Sequence, residues 1–328
     1  MLSQITIEKL FNIYDYTIPL VDNEGESNVK FITAPNGFGK TTILDFVYAV
    51  FTLQYERLFK IPFKSFSLVF SESDDTEYTV SVSKSEQRPS HDGKSDISDD
   101  IKCKLNISLY EKGKGEVKEL GSCTCFMEAD GRMGVSGDSN NIDMFFTSRT
   151  CHYVTDKRLL NIKTDQDTSS KEMNDIDMGT YANQMKLILN NPIKKKDYAR
   201  SIDIFQKVIK QNEFVNKRME LSEQFGIRFV ANDELESKLS LDNLSSGEKH
   251  MIIQTFELLF NAQGETLVLI DEPELSFHMM WQMNYLKNLE EIIRERGFQC
   301  IVATHSPQIF NSIWSKSVDL YDITTHSQ

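Results

Sequence analysis

Apolar and polar positions alternate along the first 33 residues, through ITIEKL, YDYTIPL and VKFIT, and predict three short strands. The alternation stops at APNGFGKTT, and TILDFVYAVFTLQYERLF then carries helical spacing. From Phe63 to about Met127 the period returns to two, in FSLVFSE, YTVSVSK and KCKLNISLYE. That stretch predicts an antiparallel, strand-rich unit. SEQRPSHDGKSDISDD, within it, and the segment from Asn161 to Thr180 are polar and turn-rich, and predict exposed loops. Residues from about 181 to 225 return to helical spacing. After Gly226, apolar runs alternate with helical segments: GIRFVA, Leu244 to Phe260, TLVLID, SFHMMWQMNYLKNLEEIIRE and FQCIVATHS. A short helix and a last strand, SVDLYDI, follow. Apolar strands separated by helices predict a mostly parallel α/β sheet. The chain has no internal repeat and no heptad seam.

Composition narrows the class. A chain of 328 residues with 40% apolar side chains can build one large or two modest domains. It has no apolar run of the ~18 residues that a membrane span needs, and no basic start leading into an apolar stretch. A cytoplasmic protein without a membrane partner is therefore expected. The five cysteines are scattered, which fits reduced thiols; Cys123 and Cys125 would share one face of a strand. A net charge of −13 argues against a sequence-independent DNA coater. The charge is uneven, however. Between Gln184 and Glu220 there are nine Lys/Arg against four Asp/Glu. Helices across 186–218 could present Lys194, Lys195, Lys196, Arg200, Lys207 and Lys210 to nucleic acid, or simply to solvent.

Three segments carry chemistry. In VKFITAPNGFGKTTIL a strand enters a loop, Asn36-Gly37-Phe38-Gly39, and Lys40-Thr41-Thr42 opens a helix. Glycines let backbone N–H groups approach phosphate oxygens, Lys40 would neutralise the β- and γ-phosphates, and the Thr41 hydroxyl would ligate Mg²⁺. Ala34 stands where the generic loop begins with glycine. In TLVLIDEPE a buried strand delivers Asp271 and Glu272 to its C-terminal edge, where ligands bind in open α/β sheets. Adjacent carboxylates on a strand face opposite ways, which suits Asp271 to the metal and Glu272 to the attacking water. In CIVATHSPQIF a second buried strand ends at His305, placed to sense a γ-phosphate, and Pro307 suits the first position of a helix. A fourth segment, LDNLSSGEKH, puts Ser245, Ser246, Gly247 and Glu248 at the mouth of a helix. Such a terminus binds anions; the hydroxyls could equally serve only as caps.

Taken together these segments resemble the ABC-type ATPases. LSSGE stands at the signature motif, Asn36 to Thr42 at the P-loop, Asp271-Glu272-Pro273 at the acidic pair and His305 at the switch histidine. IDEPELSFHMMWQ with ATHSPQIF is further similar to the overcoming-lysogenization (OLD)-like branch, and to ATPase subunits of anti-phage systems such as Septu, PARIS and retron-linked modules. The resemblance implies a P-loop ABC-type ATPase head with an antiparallel β subdomain and an inserted helical subdomain. It implies ATP and Mg²⁺ as ligands, with Lys40, Glu272 and His305 catalytic and with Thr41 and Asp271 on the metal. It also implies a homodimer or higher assembly in which Ser245 to Glu248 close over a partner's ATP. Glu274, Ser276 and His278 fall in the loop that meets its counterpart across such a dimer. The lobes expected are 1–160, with the P-loop and β subdomain; 161–225, linker and helices; and 226–328, with signature, acidic pair and histidine. Only 23 residues follow His305, too few for the nuclease domain of OLD-like nucleases, so a separately encoded effector is expected. A RecF-like repair ATPase using the basic helices, and an assembly scaffold with little turnover, are the alternatives.

Overall fold

The computed structural model describes residues 1–21, 28–72, 76–86, 103–113, 116–128, 132–155, 159–160, 178–212, 214, 216–233, 235–262 and 264–326. Most of the two segments expected as exposed loops lies outside these residues. The chain forms two compact units, one of residues 1–151 and 315–328, the other of residues 152–314.

The first unit opens with the three expected strands, β1 (Leu2–Leu10), β2 (Tyr14–Pro19) and β3 (Val29–Thr33). Helix α1 (Lys40–Phe51) follows the loop after β3; it stops earlier than the spacing predicted, because Leu53 turns left-handed at φ 57°. Then come β4 (Ser65–Ser71), β5 (Glu77–Glu86), β6 (Cys103–Gly113), β7 (Glu116–Met127), β8 (Met133–Asp138) and α2 (Asn140–Thr147). β1, β2 and β4 to β8 join one antiparallel sheet, as alternation predicts. Its inner face meets aromatic side chains of α1 and α2. Phe46 lies 5.1 Å from Phe66, and Phe145 5.1 Å from Phe70, in tilted and edge contacts. β3 is buried along its whole length and pairs in parallel with β16 (Ser317–Asp319). The expected last strand, SVDLYDI, is split: Asp319 accepts from Tyr321 N at 2.9 Å and starts a one-turn helix, α8 (Leu320–Ile323). β17 (Thr325–His326) then closes on β2.

The second unit begins within β9 (Cys151–Thr155), a strand that sequence patterning missed, and goes on to β10 (Leu159–Leu160), α3 (Met178–Asn190), α4 (Pro192–Asp197) and α5 (Ala199–Gln211). β11 (Lys217–Ser222), β12 (Gly226–Ala231) and β13 (Lys238–Leu239) form a small antiparallel sheet. Two expectations are corrected here. Lys217–Ser222 is strand rather than helix, and GIRFVA pairs antiparallel with it instead of entering the parallel sheet. A hairpin turn dictates both: Gly226, at φ 74°, lets β12 fold straight back on β11. α6 (Ser246–Phe256), β14 (Leu267–Asp271), α7 (Met279–Arg296) and β15 (Gln299–Thr304) complete the unit. β14 and β15 are parallel, with Asp271 opposite Ala303, so their C-terminal ends lie side by side.

Candidate active site

In the first unit the loop between β3 and α1 carries the glycines and the lysine of the expected phosphate loop. Gly37 and Gly39 both sit left-handed, at φ 88° and 86°, where other residues are strained. A methyl added at Gly37 would meet nothing within 4 Å, so this turn borders open space; at Gly39 it would come within 2.7 Å of Leu10. Ala34 is absent from the positive-φ residues and is buried, so alanine costs this loop no strain at the generic glycine position. Lys40 is buried and folds back across the loop, donating from Nζ to the Ala34 carbonyl at 2.9 Å. Gly39 caps α1 without a side-chain bond, and no acid occupies the first turn. The positive end of the helix dipole thus faces no acid of its own first turn. Thr41 is exposed at that turn and Thr42 is half-buried.

An aromatic cluster that motif reading missed fixes the loop from one side. Tyr16 donates its hydroxyl to the Phe38 carbonyl at 3.0 Å, and the Phe38 ring stacks on Tyr14 at 5.2 Å and tilts against Tyr321 at 5.8 Å. Burial pushes the Tyr16 hydroxyl well above the ordinary tyrosine range, so it stays a donor. The Tyr-x-Tyr alternation in β2 was the available signal.

In the second unit β14 and β15 deliver the acidic pair and the histidine to one edge. Asp271 ends β14, half-buried. Glu272 leaves the strand at φ 47°, ψ 55°, a left-handed conformation costly for a glutamate and doubly so before Pro273. A backbone reversal, rather than strand pleat, thus separates the two carboxylates, which corrects the alternation argument. Glu272 Oε1 lies 2.7 Å from His305 Nε2, and the side chains keep 22% and 31% exposure, enough to touch a ligand. The contact sets a carboxylate beside an imidazole at the strand edge. Pro307 opens a 3-10 turn, Pro307–Phe310, as its place predicted.

The Ser245–Glu248 segment forms a full capping box. Ser245 Oγ accepts from Glu248 N at 3.3 Å, and Glu248 Oε2 accepts from Ser245 N at 2.8 Å. Lys217 Nζ, at 2.9 Å, neutralises the same carboxylate oxygen. Glu248 is therefore committed to holding the motif together, whereas Ser245 and Ser246 remain exposed. A hydroxyl has one donor beside its acceptor sites, so Ser245 can cap and still donate outwards. Nothing in sequence spacing pointed to Lys217.

The basic helices are less available than their composition suggested. Lys195 pairs with Glu223, Arg200 with Glu295 and Lys207 with Glu291, at 2.7, 3.0 and 2.6 Å. No helix among the described residues is long and apolar enough to cross a membrane.

Residues 161–311 match the family model AAA_21, described as "AAA domain, putative AbiEii toxin, Type IV TA system". The chain is 34% identical over 97 residues to the "Retron Ec83 probable ATPase" of Escherichia coli, and 30% identical over 95 residues to the "Retron Vc95 probable ATPase" of Vibrio cholerae. Each match spans 26% of this chain and 18% of the relative's length. Solved structures similar in fold include the SMC head domain from Thermotoga maritima, 14% identical with a TM-score of 0.42, covering 95% of this chain and 91% of that one. An SmcHead bound to the C-winged helix domain of ScpA is 13% identical with a TM-score of 0.48, covering 94% and 90%. The fold is α/β with an antiparallel β subdomain, a mixed architecture that fits a P-loop ATPase.

Proposed function

We propose that this chain is an ATP-binding and ATP-hydrolysing ABC-type subunit of a bacterial, anti-phage defence complex, of the OLD-like branch. It would dimerise on ATP in the cytoplasm and regulate a separate effector such as a nuclease. The Glu272–His305 pair carries the reading: a strained, solvent-reaching carboxylate bonded to an imidazole, in a chain that also holds a P-loop. The similarity to retron ATPases supports the defence setting.

The residues suit each task. Backbone N–H groups of Asn36 to Thr42 cradle phosphate oxygens, and Lys40 exchanges its loop carbonyl for the substrate's β- and γ-phosphates. Thr41 and Asp271 would hold Mg²⁺, which neutralises phosphate charge when bound. A hydroxyl and a carboxylate are hard oxygen donors of the kind Mg²⁺ takes beside substrate phosphates. Glu272 orients the attacking water and takes its proton, and His305 holds that carboxylate in place. Ser245, Ser246 and Gly247 donate to the γ-phosphate bound by a second copy, a self-complementary contact.

The decisive test is the solution mass of Glu272→Gln protein with and without Mg-ATP. We expect a nucleotide-dependent doubling and hydrolysis slowed by roughly 100-fold or more. A monomer with ATP bound would refute the dimer mechanism; unchanged turnover would refute the role of Glu272.

A further inference from the structure

Two residues beyond Glu272 sits a second glutamate, placed by resemblance in a cross-dimer loop, that the proposed chemistry does not use. Glu274 is 9% exposed, and its Oε1 collects three donors: Thr304 Oγ1 at 2.7 Å, His305 N at 2.6 Å and Ser306 N at 3.2 Å. All three lie where β15 ends. The last backbone bond between the strand ends, Glu272 N to the Ala303 carbonyl at 2.8 Å, comes just before them. Beyond it, that one carboxylate oxygen takes the place of the ladder. Charge-assisted bonds of this kind are shorter and about twice as strong as neutral ones. Without Glu274 the buried Thr304 hydroxyl and two backbone N–H groups would lose this acceptor, and the segment carrying His305 would be free to shift.

We propose that Glu274 is the positioning residue of the acid–histidine pair. By clamping the backbone of His305, it fixes the imidazole against Glu272 and holds Glu272 in its left-handed turn. The assignment rests on the catalytic reading of that pair, but its geometry can be tested apart from catalysis. Glu274 acts through His305 and need not touch the substrate. Its second oxygen, Oε2, is buried with no hydrogen-bond partner among the described residues, so the side chain serves the clamp through a single atom.

The test compares Glu274→Met, which removes the acceptor, Glu274→Asp, which withdraws it by one methylene, and Glu274→Gln, which keeps one carbonyl oxygen. Two readouts are taken on the full chain. One is kcat and KM for ATP beside direct nucleotide affinity. The other is the His305 imidazole signal in protein carrying labelled histidine, assigned among the six histidines with His305→Asn. We expect Met and Asp to lower kcat roughly 10- to 100-fold, as a displacement near 1 Å does, with nucleotide affinity within about threefold of wild type. Both should move the His305 signal towards its position in Glu272→Gln, and Gln should restore signal and most of kcat. If Met does not fold, Asp decides. A folded Asp or Met variant with the wild-type His305 signal would overturn the proposal even if activity fell. If wild-type protein binds ATP without turnover, the catalytic reading fails, and the His305 signal still decides whether Glu274 positions the ring.

Discussion

Two helices of this protein start at motifs associated with phosphate, and their N-termini are built in opposite ways. α1 begins at Gly39, left-handed, with no side-chain cap and no acid in its first turn. α6 begins at Ser245, extended at φ −63°, ψ 159°, inside a complete capping box whose glutamate is neutralised by Lys217. α1 opens without a side-chain cap, whereas α6 carries its own. The contrast separates two uses of a helix end. The α1 terminus, proposed as the primary phosphate site, has no side chain capping it. The α6 terminus holds its shape through its own side chains and keeps Ser245 and Ser246 exposed.

Lys40→Ala should have the largest effect, because it removes a buried cation from the helix start proposed to meet the phosphates. Turnover should fall at least ~100-fold. The stabilisation by saturating Mg-ATP, about 2.7 kcal/mol at 100 times Kd, should vanish from thermal melts. A variant that still gains stability from ATP would mean that α1 and the loop backbone bind phosphate without the lysine.

Next comes a pair at Ser245. Asn and Asp cap helices about as well as Ser, so Ser245→Asn and Ser245→Asp should both keep wild-type stability. Only Asp sets a second negative charge beside Glu248, where the proposed closure would bring a phosphate. ATP-dependent dimerisation should weaken at least tenfold in Asp and far less in Asn, when measured by sedimentation in the Glu272→Gln background. Equal dimerisation in the two would show that the signature terminus does not face an anion.

The contrast between the two termini was only half legible in sequence. The glycines, Lys40 and the buried run before them state the P-loop outright, because a turn needing positive φ leaves few residue choices. The capping box is also a sequence pattern, Ser245 with Glu248 three residues on. The charge behind it was not legible, since Lys217 meets Glu248 through a hairpin fold. Residues 217–222, KRMELS, contain good helix formers, yet pair along the full length of β12. Here tertiary pairing overrode local propensity. Gly226 made it so, because a methyl there would run into the Ala182 carbonyl of α3. The same limit hid the Glu274 clamp: its three donors lie 30 to 32 residues away, across two parallel strand ends. Spacing reveals what one segment does alone, and it is silent on which segments meet.

Lys217→Met tests the hidden half. It leaves the Glu248 carboxylate, on a side chain only 9% exposed, without its cation. The cost should be about 1–3 kcal/mol, read from denaturant midpoints. Adding Glu248→Gln should recover part of it, because the amide oxygen still accepts from Ser245 N without a charge to leave unpaired. If the double variant is as unstable as the single, the lysine works through its apolar stem rather than through its charge.

The smallest effect expected is that of Ser245→Ala, about 1 kcal/mol from the lost cap. It is also the most informative when set beside Ser245→Asn. If α6 is self-sufficient, Ala should lower the unfolding midpoint without nucleotide and Asn should not. Adding ATP should leave that difference unchanged in protein too dilute to dimerise, since no ligand of the same chain replaces the cap. Should ATP erase the difference under those conditions, the nucleotide bound by one copy would be reaching its own signature helix. The terminus would then be a second ligand-dependent end like that of α1, and closure would not require a second copy.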